Sequence, residues 1–216
     1  MYHFSLETNI ALPDNVEWLF PYKDEETKRC MTEFYSRFYN DSSPRVILLG
    51  INPGRFGAGV TGVPFTDPLL LENACGIPNN FKKRRELSSA FVYEFINALG
   101  GVEHFYRNFY ITSICPLGFI KDGKNYNYYD SRALQDAVMP MILDNLKTQI
   151  AFGASTEVAF SMGKGKNYKF LKGLNDKYDL FEKVVALPHP RWVMQYRLKS
   201  KDTFVEEYVQ ALGAHL

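Results

Sequence analysis

The sequence predicts an α/β fold in which helices cover both faces of a parallel sheet. Short, continuously apolar stretches, typical of buried strands, alternate with longer segments whose apolar residues recur at helical spacing. Parallel strands need crossover connections, and these are usually helices. No internal repeat and no linker rich in Pro, Gly or Ser divides the 216 residues, so we expect a single domain, 1–216.

The first half of the chain contains two predicted helices and two predicted strands. Residues 24–39 carry apolar side chains at i, i+3 and i+4 after a run of acids, which predicts an amphipathic helix within an N-terminal helical extension, residues 1–41. Residues 45–49 are predicted to form the first strand. A helix over 88–99 follows, with Ser88 as its N-cap and two glycines after it. Residues 109–114 are the second predicted strand.

The second half continues the alternation. The predicted strands are 149–152 and 184–187, and the predicted helices are 130–146, 155–162 and 201–212. Ser155 is read as the N-cap of the helix 155–162. Ligands of such sheets bind beyond the carboxyl ends of the strands, so the chemistry is expected just after residues 49, 114, 152 and 187.

Composition limits the partners that the protein can have. Lys and Arg number 25 against 24 Asp and Glu, so a nucleic-acid surface would have to be a local patch. The three cysteines are widely separated and lack zinc-ligand spacing, which favours reduced thiols in a cytoplasmic protein without a structural metal. The start does not resemble a signal peptide, and no apolar run reaches the ~18 residues of a membrane span.

A glycine-rich loop, GINPGRFGAGVTGVPF at 50–65, follows the first predicted strand. It lacks the lysine of a phosphate-binding loop, and its G-x-G-x-x-G spacing leads into Val63-Pro64-Phe65 instead of a helix, which disfavours a dinucleotide site. Asn52 offers a carboxamide that can both donate and accept, and Pro53 and Gly54 shape the turn that aims it.

Two further motifs end strands. Ser113-Ile114-Cys115-Pro116-Leu117 contains a thiol that is either buried and inert or, if His189 reaches it, a nucleophile. His189 stands between two prolines, each of which fixes its own φ and restricts its predecessor, so a stiff backbone aims the imidazole. This favours a functional histidine over a structural one.

Together, GINPG…TGVPF, SICPL and LPHPR resemble the uracil-DNA glycosylase superfamily, most closely its single-strand-selective monofunctional branch. The resemblance implies a three-layer α/β/α sandwich around a four-stranded parallel sheet. It further implies that Asn52 positions the hydrolytic water and that His189 hydrogen-bonds the base O2 and stabilises the leaving anion. The base-binding residues that it implies are Gly50, Ile51, Gly54, Phe65, which stacks on the base, and Ser113.

By the same resemblance, the segment from Arg191 onward meets DNA. The DNA-contact candidates are Arg55, Pro190, Arg191, Trp192, Arg197 and Lys199. Whether residues 192–194 wedge into the base stack or belong to the core is left open. Basic runs at 82–85, 121–124, 164–172 and 197–201 are either phosphate contacts or solvated faces.

One position departs from the family. Ser113 stands where the family has an Asn that reads the uracil edge, and a rotatable hydroxyl tolerates other base edges, such as xanthine or 5-hydroxymethyluracil. No lysine lies in either motif, so we expect a monofunctional glycosylase of base excision repair that needs no cofactor or metal. We expect a monomer acting on damaged DNA. The alternative is a catalytically weak module that binds damaged bases or nucleotides.

Overall fold

The computed structural model describes residues 2–216. Its strands are β1 (Val16–Leu19), β2 (Arg45–Gly50), β3 (Phe109–Ser113), β4 (Gly118–Lys121), β5 (Lys124–Tyr126), β6 (Ala154–Met162) and β7 (Lys183–Leu187). Its α-helices are α1 (Glu25–Phe38), α2 (Ala58–Thr61), α3 (Pro68–Asn73), α4 (Leu87–Ala98), α5 (Val102–Asn108), α6 (Arg132–Ala151), α7 (Lys166–Tyr178), α8 (Pro190–Tyr196) and α9 (Lys201–Gly213). No helix among these residues is long and apolar enough to cross a membrane.

The central sheet is parallel throughout and has the order β3-β2-β6-β7. Side chains of β2 alternate between its two faces. Val46 and Leu48 pack into a core cluster with residues of α1, α4, α5 and α9, whereas Ile47 and Leu49 pack into a second cluster with residues of α6 and α7. The prediction of a three-layer α/β/α sandwich around a four-stranded parallel sheet is therefore confirmed.

The third predicted strand was assigned to the wrong segment. Residues 149–151 are the last residues of α6, and Phe152 is its C-cap. Buried Gln149 continues the helix, and Gly153, at φ 104°, terminates it. Residues 155–162, predicted as a helix, lie in strand β6. Residues 158–162 are all buried, and Val158, Phe160 and Met162 pack into one core cluster while Ala159 packs into the other, which is the alternation of a strand.

Two predicted helix caps are also wrong. Ser155 lies in β6 and caps no helix. Helix α4 begins one residue before Ser88, and its N-cap is Glu86, whose carboxylate accepts from the Ser89 N–H at 2.8 Å. A glutamate reaches the same orphan donor that a serine cap would satisfy.

The N-terminal segment contributes more than a helix. Strand β1 pairs antiparallel with β4, and β4 pairs antiparallel with β5, so that the three form a separate small sheet. The predicted helical extension, residues 1–41, therefore contains strand β1 in addition to helix α1, which Asp24 caps by accepting from Thr27 N at 2.8 Å. This small sheet borders the loop after β2.

Candidate active site

A cavity of about 500 Å³ lies at the carboxyl edge of the central sheet. Ile51 and Asn52 follow β2, Ser113 ends β3, and His189 comes two residues after β7, and all four line it. Three strand ends therefore deliver the three motifs to one place, as expected for a parallel sheet. Gly54, Arg55, Phe65 and Arg191 also line this cavity.

Asn52 is held by the chain segment between β5 and α6. Its Oδ1 accepts from Tyr128 N at 3.2 Å, and its Nδ2 lies 3.3 Å from the carbonyl oxygens of both Tyr126 and Pro53. Both amide protons thus have partners inside the protein. Because a carboxamide oxygen has two lone pairs, Oδ1 retains one acceptor site for a water molecule.

Phe65 packs directly over Gly50. A Cβ on Gly50 would lie 2.7 Å from Phe65 Cε2, so any larger residue would displace the ring. Phe65 itself has φ 52°, in the left-handed region that a phenylalanine adopts only under constraint. The residue after it is fixed by buried Thr61, whose Oγ1 donates to Thr66 O at 2.7 Å.

The loop between these residues folds back on itself. Gly54 O accepts from Gly59 N at 2.9 Å, and a Cβ on Gly59 would lie 2.6 Å from that oxygen. Asn125 Oδ1 accepts from Arg55 N at 3.1 Å, which ties the loop to the β4–β5 hairpin. The glycines permit this close backbone packing, and no phosphate-binding function is needed to explain them.

His189 is the N-cap of α8. Its Nδ1 accepts from Arg191 N at 3.1 Å, which leaves the ring proton on Nε2 when the imidazole is neutral. Burial, assisted by the charge of Arg191, lowers the pKa of His189 from 6.5 to about 4. The ring centroid lies 6.5 Å from that of Phe65. His189 is therefore a neutral hydrogen-bond donor beside an aromatic face.

Ser113 is buried at the end of β3 and its neighbourhood is polar. Asn145 Nδ2 donates to the carbonyls of Ser113 (3.1 Å) and Ile114 (3.2 Å), which fixes the strand end. Cys115 instead lies in the core cluster with Ile47 and Leu49, where burial raises its thiol pKa to about 12. The interpretation of Cys115 as a nucleophile is wrong, because the thiol is un-ionised and lies outside the cavity wall.

The predicted DNA-contact residues occupy different surroundings. The Arg55 guanidinium donates to Gly123 O, and Lys199 is exposed after α8. Trp192 is exposed, with Arg197 Cζ 5.0 Å from its ring centroid. Pro190 is buried in the first turn of α8, and its assignment as a DNA contact stays a prediction.

The open question about the wedge is partly resolved by burial. Val193 is fully buried and Met194 packs against the core, so neither can enter a base stack. Trp192 lines a second cavity of about 560 Å³, which shares Ile51, His189 and Arg191 with the first. Lys164, Lys166 and Tyr196 also border this second cavity.

Asn167 is a residue that the sequence reading missed. It is buried in the first turn of α7, where Nδ2 contacts the carbonyls of Leu49 and Gly50, both at 3.4 Å, and Oδ1 accepts from Tyr128 OH at 2.9 Å. The sequence signal that could have located Asn167 was the alternation of large apolar residues at 158–162, which indicates a strand, followed by a glycine turn. Its misreading as a helix placed the strand end ten residues too early.

No group of three or more His, Cys, Asp or Glu in residues 2–216 has the arrangement of a metal site.

The chain is similar to known glycosylases. A family model described as the uracil DNA glycosylase superfamily matches residues 36–213. The Rattus norvegicus protein named single-strand selective monofunctional uracil-DNA glycosylase is 26% identical over 200 residues, 83% of this chain and 70% of that protein. The corresponding Bos taurus protein is 31% identical over 100 residues, 38% of this chain and 37% of that protein.

Similarity also extends to a solved structure. The crystal structure of WT Pedobacter heparinus SMUG2 matches with a TM-score of 0.95 at 45% identity, covering 99% of this chain and 94% of that chain. The match includes the residues before 36, which the family model does not reach. This chain therefore belongs to the uracil-DNA glycosylase superfamily, in its single-strand selective monofunctional branch.

Proposed function

We propose that this protein is a monofunctional DNA glycosylase of base excision repair, built as a single domain and acting as a monomer. It hydrolyses the N-glycosidic bond of uracil, or of a related deaminated or oxidised base, after the base has flipped out of the helix. The observation that carries the proposal is that Asn52 and His189 line one cavity together with the ring of Phe65.

His189 is assigned to the departing base. Breaking the bond leaves negative charge on the base, and a fixed donor at a base oxygen stabilises that charge as an oxyanion hole does. The neutral imidazole donates through Nε2 because Nδ1 is occupied by the Arg191 N–H. Loss of one such donor typically lowers a rate by ~10² to 10³.

Asn52 is assigned to the water. A sugar that has become cation-like reacts with a neutral water, so the enzyme must orient this water more than deprotonate it. The free lone pair of Asn52 Oδ1 suits that task, since its other contacts fix the amide plane. This division of labour requires neither a carboxylate nor a metal ion in the loop.

Phe65 is assigned to the flipped base. Leaving the helix costs a few kcal/mol, least for mismatched or single-stranded bases. Stacking on an aromatic ring returns about 1–3 kcal/mol per base. The constrained backbone of Phe65 supports this role, because a ring fixed in advance loses little entropy when the base arrives.

Ser113 is assigned to the choice of base. A fixed amide rejects wrong bases strongly, whereas a hydroxyl can turn to donate or accept. We therefore propose that xanthine and 5-hydroxymethyluracil are accepted beside uracil. Support comes from the position of Ser113 in the cavity wall.

The test is base release from oligonucleotides that carry uracil, xanthine, hypoxanthine or 5-hydroxymethyluracil, followed by alkaline cleavage at abasic sites. Asn52→Ala and His189→Ala should each lose ~10²-fold or more in rate while binding is nearly unchanged. Asn73→Ala and His104→Ala, which replace exposed residues of the same types, are the matched controls.

Two results would change the proposal. A wild-type protein that binds the modified oligonucleotides and releases no base would be the binding module considered as the alternative. Strand nicking without alkali would contradict monofunctional chemistry. This control is needed because one exposed lysine, Lys124, does border the cavity.

A further inference from the structure

We propose that Arg84, stacked on Phe56, contacts a phosphate of the bound DNA strand at the rim of the candidate active site. The inference rests on the proposed function and adds a contact to it outside the three motifs. Arg84 comes from the irregular segment between α3 and α4, and Phe56 comes from the loop after β2.

The stack is close. Arg84 Cζ lies 3.6 Å from the centroid of the Phe56 ring, and Phe56 lines the cavity that contains Asn52 and His189. Arg84 is exposed, and within residues 2–216 it joins no ion pair. A guanidinium that stacks through its face keeps the N–H groups of its edge free for a planar or tetrahedral anion.

The segment that carries Arg84 is fixed at both ends. Asn80 N donates to Glu26 Oε1 at 2.8 Å, and Glu86 N donates to Oδ2 of buried Asp67 at 2.9 Å. Lys83 is used internally, since its Nζ donates to Asn79 Oδ1 at 2.7 Å and also pairs with Glu72. Arg84 is thus the residue of this basic run that is both anchored at the cavity and free to bind an anion.

The charges around Arg84 favour a polyanion. Lys82 and Arg85 are exposed and, among the described residues, also lack ion pairs. Glu86 is the carboxylate that borders the same cavity, and it is occupied in capping α4, accepting from Ser89 N at 2.8 Å and Ser88 Oγ at 3.0 Å. The arrangement repeats that of Arg197 over Trp192 in the adjoining cavity. Arg55 Cζ also lies over the Phe56 ring, 4.9 Å from its centroid, but its guanidinium donates to Gly123 O. Arginines over aromatic rings therefore border both cavities.

The experiment measures binding of a short single-stranded oligonucleotide with a central tetrahydrofuran abasic analogue, which has no bond to hydrolyse. Arg84→Gln should weaken binding roughly tenfold at low salt. It should also reduce the slope of log K against log[salt] by ~0.7, the value for one phosphate on a single strand. Phe56→Leu should show part of the same loss, because the apolar volume stays and the stacking surface goes.

Arg107→Gln is the matched control. Arg107 is an exposed arginine on α5, just before β3 begins, at the opposite edge of the sheet from the cavity. Its replacement should leave the affinity and the salt slope unchanged. An Arg84→Gln variant that behaves like Arg107→Gln would overturn the inference.

Neutral linkages identify the phosphate. Replacing one phosphodiester at a time by a methylphosphonate should weaken binding to the wild type at several positions. At one of these positions, Arg84→Gln should cause no further loss of affinity, because the phosphate that it contacts has already been neutralised. Losses that add at every position would also overturn the inference. Because the ligand is not hydrolysed, absence of base release by the wild type would contradict the proposed function and leave this result interpretable.

Discussion

The two nitrogens of the His189 imidazole have different roles, one in the fold and one proposed in catalysis. Nδ1 caps α8, and Nε2 is left as the donor toward the cavity. Protonation would break the cap, because a doubly protonated ring cannot accept from Arg191 N. Burial, assisted by the charge of Arg191, lowers the pKa to about 4, so the ring stays neutral and the cap is kept at neutral pH.

We therefore expect the rate of base release to show no inflection near pH 6.5, the ordinary pKa of histidine, and to decline only as the pH approaches 4. The measurement is a single-turnover pH profile of the wild type. An inflection near pH 6.5 that disappears in His189→Ala would contradict a neutral donor.

Gly50 provides a second test at the residue scale. Gly50→Ala should displace the Phe65 ring, lower the rate of base release at least tenfold and destabilise the fold by about 1–3 kcal/mol, as overpacking does. Rates and denaturant midpoints check both effects.

Gly173→Ala is the control for that change. A Cβ on Gly173 would meet nothing within 4 Å in the middle of α7, so the variant should gain about 0.5–1 kcal/mol of stability from helix propensity. An equal rate in Gly50→Ala and wild type would show that the position of Phe65 does not matter for catalysis.

At the scale of elements, the sequence predicted the strands that obey one simple pattern. β2, β3 and β7 were placed because each is a short apolar run bounded by polar or turn residues. β6 was missed because its first half, with exposed Thr156 and Glu157, resembles a helix start after a glycine. Ser155, which was predicted to cap a helix, is the second residue of this strand.

For a related reason, some residues of the candidate site could be predicted from the sequence and others could not. Asn52 and His189 stand beside prolines, whose local effect on the backbone is visible in sequence. Asn167 and the segment 126–128 act through contacts with residues far away in the chain, and no local pattern reports those. Long-range hydrogen bonds of this kind follow from the topology and become predictable only once the sheet order is known.

Asn167 joins three elements, which makes it testable at this scale. Asn167→Ala should leave the carbonyls of Leu49 and Gly50 and the hydroxyl of Tyr128 short of partners, at a cost of about 1–3 kcal/mol. Denaturant unfolding measures the loss. Exposed Asn125 is unsuitable as a control because it binds the Arg55 N–H, so Asn73→Ala serves again.

For the whole molecule, buried His3 and half-buried His189 couple stability to pH. Burial lowers the pKa of His3, like that of His189, from 6.5 to about 4. The unfolded chain takes up protons at both sites near pH 6.5, whereas the folded protein resists until about pH 4. Their contribution is thus complete above pH 6.5 and is lost as the pH falls toward 4.

We expect the free energy of unfolding to fall by a few kcal/mol between pH 7 and pH 4.5 on account of these two groups. Urea titrations across this range measure it. His3→Phe should flatten the dependence, and His104→Ala, which removes an exposed imidazole, should leave it as in the wild type. A stability that does not change with pH in the wild type would contradict the assignment.

The small antiparallel sheet limits how far this protein can be truncated at its N-terminus. Gly118 of β4 packs so closely on the loop after β2 that a Cβ there would clash with Pro53 O, and β1 covers one edge of β4. A recombinant fragment cut to the family boundaries, 36–213, would lack β1 and most of α1. It would carry every proposed catalytic residue and yet expose a bare strand edge, so we expect it to aggregate where the full chain stays dispersed.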